Sequence, residues 1–78
     1  MLNEVDNNVY NASFVVEDEE SGKRYAAFED DWNGEYYEAT ACTKDGDLIK
    51  DQTIKLYPVT VEIDEDVFEV IGYNGIAI

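Results

Sequence analysis

The sequence predicts an all-β protein, or a β-rich α+β protein, built as a small antiparallel meander that forms a bent sheet or a barrel. Turn signals recur at roughly ten-residue spacing, a pattern typical of small β sandwiches and barrels. The segments between them alternate apolar and polar residues, as half-buried strands do. With 78 residues, of which 45% are hydrophobic, the chain predicts a single domain with a compact core.

The N-terminal third predicts a hairpin. Residues 1–8, MLNEVDNN, are expected to form a polar lead-in. Residues 9–17 then alternate, and one face of this predicted strand carries Tyr10, Ala12, Phe14 and Val16. A turn around Ser21-Gly22 leads to a second strand over residues 23–29, KRYAAFE.

Two dipeptides mark the next turns. Asn33-Gly34 precedes a predicted strand over residues 35–43, EYYEATACT, and Asp45-Gly46 precedes another over residues 49–58, IKDQTIKLYP. Asn-Gly and Asp-Gly are favoured in hairpin turns because both residues tolerate positive φ. Two further hairpin connections are therefore expected.

The C-terminal third begins at Pro58, which predicts a bend, an edge or the start of a new strand because proline cannot donate to a strand ladder. Residues 59–63 alternate most clearly in the chain. Residues 64–71 fit a strand or one short helix, and their β-branched content favours the strand. The apolar end, residues 76–78, predicts a last strand docked on the sheet.

Cysteine content and hydropathy point to a compartment. The single cysteine, Cys42, excludes an internal disulfide, and its small neighbours predict a buried structural thiol. No basic region followed by an apolar run opens the sequence, and no apolar stretch approaches 18 residues. Neither a signal peptide nor a transmembrane helix is predicted, and a reduced, cytoplasmic protein is expected.

The chemistry-bearing residues argue against catalysis. The sequence contains no histidine, so it predicts neither a nucleophile–base pair nor an imidazole metal site. Among the 19 Asp and Glu residues, no pair is singled out for acid–base catalysis by an apolar setting that would shift a pKa. A glycine-rich phosphate loop is missing, and a net charge of −14 excludes a basic surface for direct nucleic-acid binding. We therefore expect a non-enzymatic protein without cofactors or metal.

The stretch EDDWNGEYYE, residues 29–38, combines acidic and aromatic residues around the Asn-Gly pair. Alternation places Tyr37 inward with Ala39 and Ala41, and leaves Tyr36 outside beside Glu38. An exposed aromatic ring among carboxylates can bind a partner's arginine by cation–π contact. The competing interpretation is cross-strand packing of the aromatic residues Trp32, Tyr36 and Tyr25.

Charge then suggests a partner. Duplex DNA carries one charge per about 1.7 Å, so fourteen charges correspond to roughly 24 Å of duplex, against a domain roughly 30 Å across. The expected function is a nucleic-acid mimic that inhibits a basic DNA- or RNA-binding protein. Its candidate partner-binding residues lie in two acidic clusters: Glu29, Asp30, Asp31, Trp32, Glu35, Tyr36 and Glu38, and then Glu62, Asp64, Glu65 and Asp66.

In size and charge, the chain resembles small acidic inhibitors encoded by phages and other mobile elements, including anti-CRISPR proteins and inhibitors of DNA-repair or restriction enzymes. The resemblance is one of general character and transfers no functional residue. It implies a protein–protein interaction with a basic partner.

Four alternatives remain open at this point. The acids can serve a scaffold domain that needs them only for solubility and for protection of its strand edges. They can be an adaptation to high salt, where self-repulsion is screened. A calcium-binding module would use Asp31-x-Asn33-x-Glu35 or Asp45-Gly-Asp47, although neither has EF-hand spacing. Finally, the apolar C-terminal strand and free edges allow a homodimer.

Overall fold

A computed structural model describes residues 1–78 as a closed antiparallel barrel in which six strands pair in chain order, the last with the first. The predicted all-β meander is confirmed. One 3₁₀ turn, Glu29–Asp31, is the only helical element. The strands are β1 (Leu2–Val5), β2 (Phe14–Asp18), β3 (Arg24–Ala27), β4 (Tyr37–Cys42), β5 (Leu48–Asp64) and β6 (Val67–Ala77).

The barrel interior is filled by one buried side chain from every strand. The small alanines of β3 and β4 leave room for the larger side chains of Leu56 and Tyr73, as the narrow interior of a small barrel requires. Phe14 and Tyr37 pack against this cluster, so alternation assigned Tyr37 to the correct face. The six interior residues are Leu2, Val16, Ala27, Ala39, Leu56 and Tyr73.

A second cluster lies on the outer face of the barrel, beneath the connection between β1 and β2. Val9 and Ala12 from this connection cover Val15, Ala26 and Cys42. Cys42 is therefore a buried thiol, as its small neighbours predict. Burial raises the pKa of the Cys42 thiol, which disfavours the reactive thiolate.

The same connection is held against the β4–β5 turn. The side-chain amide of Asn8 donates a hydrogen bond to the backbone carbonyl of Lys44. Gly46 has a φ of 94°, and a Cβ atom there would collide with the backbone carbonyl of Asn8. Glycine is thus required at this turn both for its positive φ and for the close approach of the two segments.

Two expectations for the N-terminus are wrong. Leu2–Val5 is a strand that closes the barrel, with Leu2 in the core, rather than part of a polar lead-in. The second strand begins at Phe14 because a turn precedes it, in which the Ala12 amide donates to the Val9 carbonyl at 3.2 Å. Tyr10 lies in that turn and is 89% exposed, so it does not share the inward face of Val16.

Strand β5 runs unbroken through Pro58, which pairs with Tyr73 of β6. Pairing of β5 with β4 ends at Leu56, opposite Tyr37. Pro58 therefore sits just beyond the point where β5 loses one neighbour, and its missing N–H interrupts no ladder on that side. The predicted edge position is confirmed, whereas no new strand starts there.

Residues 64–71 contain no helix: they comprise the end of β5, a two-residue turn and the start of β6. Strand β6 begins at Val67 after a two-residue turn, Glu65-Asp66, in which Asp66 has a φ of 59°. The strand continues to Ala77, which pairs with Ile54. The predicted docking of the C-terminal segment on the sheet is confirmed.

The β5–β6 hairpin projects beyond the barrel. Pairing of β6 with β1 is confined to Tyr73 and Leu2, and pairing of β5 with β4 ends at Leu56, so residues 60–71 pair with no third strand. We call residues 60–71 the arm. It contributes to an elongated shape of 40 × 24 × 23 Å.

Candidate partner-binding surface

The barrel topology brings both candidate acidic clusters to one end. Successive connections of an antiparallel meander alternate between its two ends, so the β3–β4 and β5–β6 connections leave the same end. The first contains Glu29–Asp31 and Glu35, and the second contains Glu65 and Asp66. The β2–β3 and β4–β5 turns, with their own acidic residues, leave the opposite end.

The β3–β4 connection starts with the 3₁₀ turn Glu29–Asp31. Half-buried Phe28 anchors the turn on the outer core cluster, and the Glu29 amide donates to Ser13 Oγ at 2.7 Å. All three acidic residues of the turn are exposed. The Phe28 side chain and the Glu29 backbone amide therefore hold this segment in place. Its three carboxylates are free to face solvent or a partner.

The predicted Asn-Gly turn forms, but the hairpin around it is only one bridge long, between Trp32 and Tyr37. Asn33 Oδ1 accepts hydrogen bonds from the amides of Glu35 and Tyr36 at 3.0 and 3.1 Å. Gly34 takes a positive φ of 97°. The acids before Trp32 lie in the 3₁₀ turn because this side-chain cap, rather than a strand ladder, holds the connection.

Tyr36 is less available to a partner than alternation predicts. Its ring is half-buried against Tyr57, with centroids 5.2 Å apart. Lys55 Nζ lies 5.0 Å from the Tyr36 ring centroid, so this protein's own lysine occupies the cation–π position. The idea that Tyr36 binds a partner's arginine there is not supported by this geometry.

Trp32 is more exposed than Tyr36 or Tyr37, the other two aromatic residues of the stretch 29–38. Its ring packs on Tyr37, with centroids 4.7 Å apart, and remains 41% exposed. Tyr37 in turn meets Phe14 edge-on at 5.0 Å. Trp32 thus packs on the core from one side, while part of its ring stays exposed directly after the acidic turn Glu29–Asp31 in sequence.

The carboxylates are almost entirely unpaired. Only two ion pairs form: Arg24 with Glu17 at 3.0 Å, and the N-terminal ammonium group with Glu19 at 3.9 Å. Every acidic residue except Glu17 and Asp18 is exposed, and no charged residue is buried. None of the proposed site acids is neutralised within the protein.

The second acidic cluster lies on the arm. The Glu65 amide donates to Asp64 Oδ1 at 2.7 Å, which stabilises the turn at the tip. Eight residues separate Asp64 from Leu56, where the β3–β4 connection meets β5, and that distance is about 26 Å of extended strand. The two clusters therefore form an extended acidic track and not a single pocket.

A small pocket at the base of the arm escaped prediction. It has a volume of about 200 Å³ and is lined by Glu4, Val70, Ile71, Gly72 and Tyr73. The Tyr73 hydroxyl donates to Glu4 Oε1 at 3.4 Å. No local motif announces this contact, because it joins strands that are 69 residues apart in sequence and meet only through barrel closure.

Tyr73 makes the stability of the fold depend on pH in the alkaline range. Burial, and then the negative charge of Glu4, raise the pKa of Tyr73 to about 12 from an ordinary value of 10.0. Since the folded-state pKa exceeds the unfolded one, this contribution to stability is complete below pH 10 and is lost as pH rises through 12.

Denaturant unfolding at pH 8, 10, 11 and 12 tests this directly. Tyr73→Phe is expected to lose less stability than the wild type between pH 10 and 12, whereas Tyr10→Phe, at an exposed position, should keep the wild-type slope. Equal slopes for all three proteins would contradict the assignment.

No group of three or more Asp, Glu or Cys side chains is arranged to hold a metal ion. The structure has no helix of the length and hydrophobicity needed to span a membrane. Comparison with protein-family models, with curated proteins and with solved structures gives no match.

Proposed function

We propose that this protein binds a basic nucleic-acid-binding protein and inhibits it by presenting a nucleic-acid-like array of charge. The binding surface is the end of the barrel that carries the β3–β4 connection and the arm, which we call the acidic end. The observation that carries this proposal is the near absence of internal neutralisation. Nineteen acidic residues face five basic ones, yet only two ion pairs form. The unpaired carboxylates are left for an external cation to neutralise.

The dimensions of the protein support the comparison with nucleic acid. A net charge of −14 spread over 40 Å is one charge per about 2.9 Å. Nucleic acid carries one charge per about 1.7 Å in a duplex and about 3.4 Å along one strand. The protein falls between these two values, so a cationic groove that accepts nucleic acid would meet a comparable field.

A scaffold role alone explains the number and distribution of the acidic residues less well. Self-repulsion among unpaired charges opposes folding of a domain this small, and a net charge of about 2 to 8 already keeps such a domain soluble. The acids also continue along the arm, where Glu62, Asp64, Glu65, Asp66 and Glu69 have no lysine or arginine between residues 56 and 78. A role in binding a basic partner explains this excess of negative charge.

Charge reversal at the acidic end tests the proposal. In the triple variant Glu29→Lys, Asp31→Lys and Glu38→Lys, each change adds two charges, so the net charge moves from −14 to −8. Immobilised wild-type protein is expected to capture basic proteins from a heparin-retained fraction of the producing cells. The variant should lose this capture because its lysines repel the same surface.

A matched control separates position from total charge. Glu20→Lys, Asp45→Lys and Asp51→Lys give the same net charge at exposed positions on or near the opposite end. This variant should retain most of the capture, and both should remain folded because exposed substitutions usually change stability by about 0.5 kcal/mol or less. Equal loss in the two variants would indicate non-specific attraction and would contradict a site at the acidic end.

A further inference from the structure

The arm combines exposed apolar side chains with unpaired acids. Six of the twelve exposed large hydrophobic residues lie on it, although it comprises only residues 60–71. Their side chains are between 39% and 62% exposed, and Phe68 is the most exposed of them. These residues are Val61, Ile63, Val67, Phe68, Val70 and Ile71.

Packing in the barrel core does not explain why these six residues are apolar. Neither Phe68 nor Val70 belongs to a core cluster, and the arm lies beyond the last pairing with a third strand. An isolated two-stranded hairpin is only marginally stable in water. Polar residues at these positions would make it more soluble without disturbing the core, so exposed apolar side chains here are typical of an interaction surface.

Cross-strand register places acids beside the apolar residues on both faces of the arm. Phe68 lies opposite Glu62, and Val61 lies opposite Glu69. Directly opposed residues share one face of a hairpin. Each face therefore presents an apolar side chain flanked by a carboxylate.

We propose that the arm inserts into a groove with an apolar floor and a basic rim on the partner protein. This inference rests on the proposed function and identifies the element that anchors the complex. The apolar side chains would supply buried contact area, while the carboxylates of Glu62, Asp64 and Glu69 would pair with lysine and arginine side chains at the rim.

Charge complementarity favours a basic protein, rather than a second copy of the chain, as the partner of the arm. The arm carries five acids, and residues 56–78 contain no lysine or arginine. Two arms paired along their free edges would bring ten carboxylates together without a cation from either segment. A basic protein removes that repulsion as it covers the apolar residues.

Photo-crosslinking tests where the partner docks. A benzophenone amino acid replaces Phe68 in one version of the full chain and Ile76 in another, and the probe is the heparin-retained protein fraction used above. Both residues lie on β6 and are 62% and 52% exposed, respectively. We expect position 68, and not position 76, to crosslink to a basic protein whose identity mass spectrometry then gives.

The crosslinked protein, once purified, allows an affinity measurement. Phe68→Ser is expected to weaken its binding about tenfold or more, as loss of a central aromatic anchor does, while Ile76→Ser should leave the affinity unchanged. Crosslinks only between two copies of the chain, equal crosslinking at both positions, or unchanged affinity of Phe68→Ser would overturn the role of the arm.

Comparison with the charge-reversal variant distinguishes the two proposals. If Phe68→Ser binds normally while the triple variant does not, the arm inference fails and the proposed function stands. If the wild-type protein captures no basic protein at all, the proposed function fails, and the arm inference fails with it.

Discussion

Replacing Leu56 by alanine should lower the free energy of unfolding by about 3 kcal/mol, within the range of about 2–5 kcal/mol found for buried leucines. Leu56 is completely buried and belongs to the interior cluster to which all six strands contribute. Its loss would leave a cavity at the last position where β5 pairs with β4. The closed structure around it restricts collapse of that cavity.

Leu48→Ala provides the matched control for this prediction. Leu48 also lies on β5, but it is 38% exposed. Its truncation should cost less than about 1 kcal/mol, because little apolar surface is removed from water there on folding. Urea denaturation followed by tryptophan fluorescence measures both variants. Similar losses of stability at the two positions would contradict the assigned interior of the barrel.

The sequence predicts this fold well where local chemistry is decisive. Asn33-Gly34 and Asp45-Gly46 form turns because both glycines adopt positive φ. Pro58 marks the place where β5 loses its pairing with β4. These signals depend on a few adjacent residues, and tertiary contacts do not override them.

The N-terminus shows why other elements were missed. Residues 2–5 carry only two strongly apolar side chains, Leu2 and Val5, which are three residues apart and therefore show no strand-like alternation. They become a strand because β2 and β6 both need a neighbour to close the barrel. Tyr10 was misplaced for the opposite reason, since its segment alternates but is diverted into a turn by Asn11 at a φ of 63°.

The candidate surface was predictable in composition but not in geometry. The acid clusters are read directly from the sequence, whereas the partner of Tyr36 is not. Lys55 reaches the Tyr36 ring only because β4 and β5 pair in a register that places Glu38 opposite Lys55. The exposure of Phe68 was likewise hidden, because its neighbours resemble those of an ordinary buried strand until the length of the arm beyond the barrel is known.

Competition by duplex DNA tests the central claim, charge mimicry of nucleic acid, most directly. A duplex of about 12 base pairs matches the 40 Å length of the protein at about 3.4 Å per pair. Immobilised protein is first loaded with basic proteins from the heparin-retained fraction. Duplex DNA is then added, with polyglutamate at the same total charge as the control, at about 50 and 200 mM salt.

If the protein occupies a nucleic-acid groove, the duplex should displace the captured protein, and polyglutamate should displace much less of it at the same charge. Capture should also weaken steeply between the two salt concentrations, because many screened ion pairs share the interface. Captured protein that stays bound in excess duplex, or that is displaced equally by polyglutamate, would contradict nucleic-acid mimicry.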